Sequence, residues 1–229
     1  CFSQYSRIQV CKVGPRVMDS LNHDIALSEL AYVAPFVLGV LVAFLLPSLS
    51  ENWIRYALKG TVAGAIVPIV QSRNPFLIWA SIFSINFFLG AVLRFILVPV
   101  LLYHLSLLFA IVVGFFVGFS AGSPTYILLF ATLPTLGALY LILTFAFESL
   151  GYIVACAVGY RIGKESQKGL TRHEMLRLLI FPYHLKRPER RLATKKSLKA
   201  NIPWIMLSMT FIIIGASTET LLIVLMPIR

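Results

Sequence analysis

The chain has 229 residues, of which 59% are hydrophobic and 13% charged, and its mean hydropathy is +0.86. A water-soluble domain carries roughly 25% charged residues, so this composition cannot cover an aqueous surface and points to a polytopic membrane protein. The net charge of +11 is concentrated, with eleven Lys/Arg against three Glu between Lys164 and Lys199. Beside membrane spans, such a block marks a cytoplasmic loop and argues against a nucleic-acid site.

In chain order, residues 1–29 form a basic N-terminal segment whose Arg7, Lys12 and Arg16 keep it cytoplasmic. The first apolar run starts too late and is too long for a cleavable signal peptide. A transmembrane helix needs ~20 apolar residues. The runs 30–49, 76–98, 101–119 and 202–226 meet that length; Pro99 separates the second from the third, and Pro203 stands near the start of the last.

Two stretches do not fit one span each. In 52–70 the apolar part after Lys59 is short and Arg55 and Lys59 are costly to insert, so it reads as interfacial or re-entrant. The run 125–163 would make a helix of ~58 Å against a core of ~30 Å. We read it as a partial helix before Pro134 followed by one long span reaching Gly163. The fold expected is therefore an all-α helical bundle with five full spans plus two partial or re-entrant segments, the alternative being seven spans. Either count gives a multi-pass protein of the cell membrane, N-terminus inside and C-terminus outside. It divides into a bundle over 30–163, a basic loop over 164–201 and a final helix over 202–229.

Glycines recur at four-residue spacing in Gly114-Phe-Phe-Val-Gly118 and again at Gly159 and Gly163, while Gly90 lies between Asn86 and Arg94. Small residues so spaced share a helix face and let backbones approach closely in lipid. Ionisable groups well inside spans are Arg94, Glu148 and Glu219, with Asn86 as a polar companion. Lipid offers such groups no partners, so they should face the bundle. Arg94 stands about 7 Å from the basic end of its span, close enough to extend to the headgroups. Glu148 and Glu219 fall at matching depth in the outer half. Either they approach one another or line a polar cavity, or each accepts local hydrogen bonds from Thr144, Ser149, Ser217, Thr218 and Thr220.

The pattern Glu148-(x)10-Gly159-(x)3-Gly163, together with IFSINFFLGAV, VVGFFVG and GASTETLLIVLMP, resembles the stage II sporulation protein M family of membrane proteins. The order and spacing cover about residues 75–227. Where that family has His, Gly and Asn, this chain has Thr144, Phe145 and Val113. The resemblance implies a scaffold or assembly subunit of a membrane-remodelling complex, with membrane-protein partners and no enzymatic activity.

Enzyme motifs are weak. Gly118-Phe-Ser-Ala-Gly122 is a formal match to a serine nucleophile turn, but it lies in an apolar helix ending at Ser-Pro, where strand, turn and helix are required. It reads better as a turn. Cys1, Cys11 and Cys156 have no metal-binding spacing, and no cofactor fingerprint appears. The basic loop holds a capping-box sequence at Thr171–Glu174 and an amphipathic stretch after it. Lys186, Arg187, Arg190, Arg191, Lys195 and Lys196 would meet anionic lipid headgroups. Besides the scaffold, the residues admit a transporter or channel subunit with an intramembrane carboxylate binding a cation or proton.

Overall fold

A computed structural model describes residues 15–60, 68–100, 102–170, 174 and 188–225. Among them there is no strand. The helices whose bounds are described are α1 (Pro15–Leu45), α2 (Pro47–Gly60), α3 (Pro75–Val100), α4 (His104–Ala121), α5 (Pro124–Thr132), α6 (Thr135–Ser166) and α7 (Pro188–Leu225). Five are long and apolar enough to cross a bilayer: α1 from Asn22, α3, α4, α6 and α7 from Arg190. The protein is an all-α polytopic bundle; α2 and α5 are too short to span, and residues 61–67 of the segment expected over 52–70 lie outside the described residues.

Proline sets the breaks. Pro47 begins α2, so Leu46 to Leu49 leave the first span, which instead starts earlier, at Asn22. Residues 22–29 fit a span because Asp24 and Ser28 are buried against the bundle; the Ser28 hydroxyl donates to the Asp24 carbonyl at 2.8 Å. Ser123 ends the turn after α4 and caps α5, its hydroxyl accepting from the Tyr126 amide. Pro134 then separates α5 from α6. The final helix starts at Pro188 and runs unbroken through Pro203, so the boundary expected at residue 202 is not a break. The missing proline N–H leaves the Lys199 carbonyl without that partner, and the helix continues on its other bonds. The expected capping box and amphipathic stretch at 171–180, with Lys186 and Arg187, lie outside the described residues apart from Glu174.

Glycines decide which helices touch. On α4, a methyl group at Gly114 would overlap the Tyr32 carbonyl, and one at Gly118 the Phe36 carbonyl. From α1, Gly39 abuts the Phe115 carbonyl in return. Gly159 and Gly163 of α6 rest on the Phe95 and Pro99 carbonyls of α3. The most extensive contact joins α6 to α7, where Gly151 meets Ile212 and Gly215 meets the Glu148 side chain. Away from these seams the helices present Leu41, Phe44, Leu93, Leu97 and Leu108 outward, the apolar perimeter that lipid requires.

One end of the bundle gathers Val100, His104, Ser166 and Arg190, and we call it the basic end. The Gln167 amide donates to the Val100 carbonyl there at 3.1 Å, and the Tyr103 and Tyr160 rings meet edge to face. At the opposite end, α2 lies against α4 through stacked Trp53 and Phe116, with ring centroids 4.4 Å apart.

Candidate functional site

Helix α3 is α-helical from its Asn74 cap to Ser84 and then winds as a π-helix over Ile85–Leu97. A π-helix bonds each N–H five residues back, with roughly 4.4 residues per turn, and is mostly found as a short bulge near functional sites. The winding changes which residues face α6. At the α-helical ~100° per residue, Phe95 would point away from the side of Asn86. At roughly 82° it returns to within about 20° of that line. Asn86, Gly90, Phe95 and Pro99 accordingly all meet α6: Asn86 at Glu148, Gly90 at the Tyr152 ring, Phe95 at Gly159 and Pro99 at Gly163.

Glu148 sits about 20 Å from Thr135 and about 27 Å from Ser166 along α6, near the middle of the span. The Asn86 Nδ2 amide donates to its carboxylate. The other side of Glu148 rests on Gly215, where a larger residue would collide with its Cγ. One turn further along α7 is Glu219, close enough for the two carboxyls to interact electrostatically. Tyr126 of α5 lies within electrostatic range of both.

A cavity of about 270 Å³ opens beside Glu148. Its wall comes from four helices: Tyr32 of α1; Asn86, Arg94 and Phe95 of α3; Val113 and Val117 of α4; Phe145, Glu148, Ser149 and Tyr152 of α6. The Ser149 hydroxyl donates to the Tyr32 oxygen at 3.2 Å. Below the cavity the bundle closes. There the Ser106 hydroxyl lies 2.8 Å from the Cys156 carbonyl and 3.2 Å from that of Phe95, tying α3, α4 and α6 together.

The structure brings Glu148, Asn86 and Arg94 to one cavity and sets Glu219 beside Glu148 without lining it. Arg94, expected with Asn86, Glu148 and Glu219 to face the bundle, lines the cavity and is exposed at its edge. Local hydroxyl partners for the two carboxylates are not what forms among the described residues. Thr144 pairs with Thr218 at 2.9 Å and Ser149 with Tyr32, while Ser217, Thr218 and Thr220 donate to carbonyls of their own helix.

Tyr32, Tyr152 and Gly215 escaped the sequence reading. Tyrosine in an apolar run is not distinctive, although buried hydroxyls within spans are a usable signal. Arg190 is half-buried and Arg191, Lys195 and Lys196 are exposed along the first turns of α7. No family model, curated protein or solved structure matches the chain.

Proposed function

We propose that the protein is a transporter or channel subunit that binds a small polar or charged solute in the mid-membrane cavity, with Glu148 as its charged ligand. One observation carries this reading. Six polar side chains, Tyr32, Asn86, Arg94, Glu148, Ser149 and Tyr152, converge on a single cavity in the apolar bundle. Each polar group held in such a place costs free energy unless something satisfies it. A helix bundle that only holds partners together has no use for that cost. The Asn86 amide orients one carboxylate oxygen and leaves the other for a ligand.

The expected scaffold role rests on the resemblance, whose most specific element is the spacing from Glu148 through Gly159 to Gly163. Close packing of α6 on α3 accounts for the two glycines, and the cavity accounts for the glutamate. Orientation follows from charge. Arg161, Lys164, Lys168, Arg190, Arg191, Lys195, Lys196 and Lys199 all belong to the basic end, which we assign to the cytoplasm. Five crossings then put the end of α7 outside. At the cytoplasmic basic end the exposed Arg191, Lys195 and Lys196 would lie against anionic headgroups.

Reconstitution in liposomes with internal pH and sodium reporters tests the proposal. A transporter or channel subunit gives proton- or sodium-coupled flux that Glu148→Gln abolishes. Silent liposomes, together with stoichiometric co-purification of another membrane protein from native membranes, would return the argument to the scaffold.

A further inference from the structure

Glu148 and Arg94, an acidic and a basic side chain, stand on the wall of one cavity, yet they do not pair. Among the described residues no carboxylate oxygen lies within 4.0 Å of the Arg94 guanidinium. Backbone spacing sets the interval: Asn86, which holds Glu148, and Arg94 are eight residues apart on α3. Tyr152 lines the same cavity within electrostatic range of both groups. Opposite charges attract strongly where the dielectric is low, and Arg94, exposed at the cavity's edge, is less costly alone than a charge on Glu148 would be. An acidic and a basic side chain that line the same 270 Å³ cavity without an ion pair are arranged for something that meets both.

We propose that the cavity binds a small zwitterion, its ammonium at Glu148 and its anionic group at Arg94. This assignment rests on the reading of the cavity as a binding site and narrows what it takes. A carboxylate beside the Tyr32 and Tyr152 rings suits an ammonium, which also gains from aromatic faces. A guanidinium suits a carboxylate or phosphate. At ~30 Å³ per water-sized group the space holds roughly nine of them, which admits a compact solute. Two sources share this chemistry: an amino-acid-like solute and the phosphoethanolamine head of a lipid. Arg94 is exposed at the edge of the cavity, so either can reach it.

The test uses the full chain in nanodiscs of phosphatidylglycerol, following the thermal unfolding midpoint. Glycine, β-alanine and γ-aminobutyrate are titrated beside ethylamine and propionate, which carry one charge each. In a second arm, phosphatidylethanolamine replaces part of the lipid. The expected result is a saturable rise in midpoint with one or more of the zwitterions, or with phosphatidylethanolamine, that the single-charge compounds do not reproduce. The arm in which the rise occurs identifies the source. Glu148→Gln and Arg94→Gln should each weaken the response at least tenfold. Because Arg94 is exposed, its variant keeps the test valid should Glu148→Gln fold poorly. Ethylamine acting as strongly as the zwitterions, with unchanged response in Arg94→Gln, would overturn the zwitterion and leave the carboxylate site standing. No response to any probe would overturn both.

Discussion

Helices α3 and α6 run side by side and differ sharply along their length. Towards the basic end, Gly159 and Gly163 lie directly on the Phe95 and Pro99 carbonyls, and nothing fits between the backbones. Nearer mid-membrane the same two helices are separated by Asn86, Glu148 and the Tyr152 ring, and a cavity opens beside them. The difference lies in side-chain size. Where α6 offers glycine the helices close, and where it offers Glu148 and Tyr152 they stand apart. The closed half provides the rigid support that holds polar groups in the open half.

The most severe test of that contrast is to add one methyl group at each level. A Cβ on Gly159 would overlap a backbone carbonyl that cannot move alone, so Gly159→Ala should destabilise by about 3 kcal/mol. A Cβ on Gly90 would meet Tyr152 Cε1 at 2.9 Å, the far part of a side chain with the cavity beside it. Gly90→Ala should therefore cost about 1 kcal/mol or less. Unfolding of both variants in detergent decides the matter, and equal losses would mean the two levels are packed alike.

Next in size is the separation of function from stability at Glu148. Glutamine keeps an oxygen to accept from Asn86, so Glu148→Gln should lose about 1–2 kcal/mol of stability at most while flux falls to background. Parallel unfolding and liposome flux measurements on the same preparation check this. Unfolding that tracks the loss of flux would demote the carboxylate to a packing element.

Much of this contrast was legible beforehand. Five spans follow from run length, the short α5 from Pro134, and the glycine faces from their four-residue spacing. Asn86 and Glu148 were marked as costly in lipid. What each group would meet was not legible. Gly215 has no small residue four positions away on either side, and its role appears only because α6 presents the Glu148 side chain to it. Arg94 faces the bundle as expected, but an apolar run does not announce the π winding that turns Phe95 onto the same face as Asn86. A sequence gives the order of side chains around a helix only once the residues per turn are known.

A smaller effect asks whether the opening is confined to the α3 side of α6. On its α7 side, at the level of the cavity, the Thr144 and Thr218 hydroxyls lie 2.9 Å apart. A double-mutant cycle with Thr144→Val and Thr218→Val should give a coupling of about 0.6 kcal/mol, the average for such bonds between membrane helices. A coupling near zero would indicate that α6 is loosely held on both sides at this height.

The smallest expected effect concerns the end opposite the basic one, where α5 brings Tyr126 near Glu148 and Glu219. Glu51 of α2 holds the start of α5, accepting from the Thr125 amide at 2.6 Å and from its hydroxyl at 2.7 Å. Those two hydrogen bonds, the hydroxyl's foremost, lower the Glu51 carboxyl below its ordinary value of 4.5. A carboxyl lowered by folding contributes fully above its unfolded value, and the contribution is lost as pH falls through the lowered one. The clasp between α2 and α5 is thus closed at neutral pH and releases only in acid. Hydrogen exchange at the Thr125 amide reads it directly. Exchange should be faster in Glu51→Gln than in the parent at pH 7, and the two should converge well below pH 4.5. Identical exchange at pH 7 would mean that α5 is held by its apolar contacts alone, leaving the open half of the bundle without a polar tether at that end.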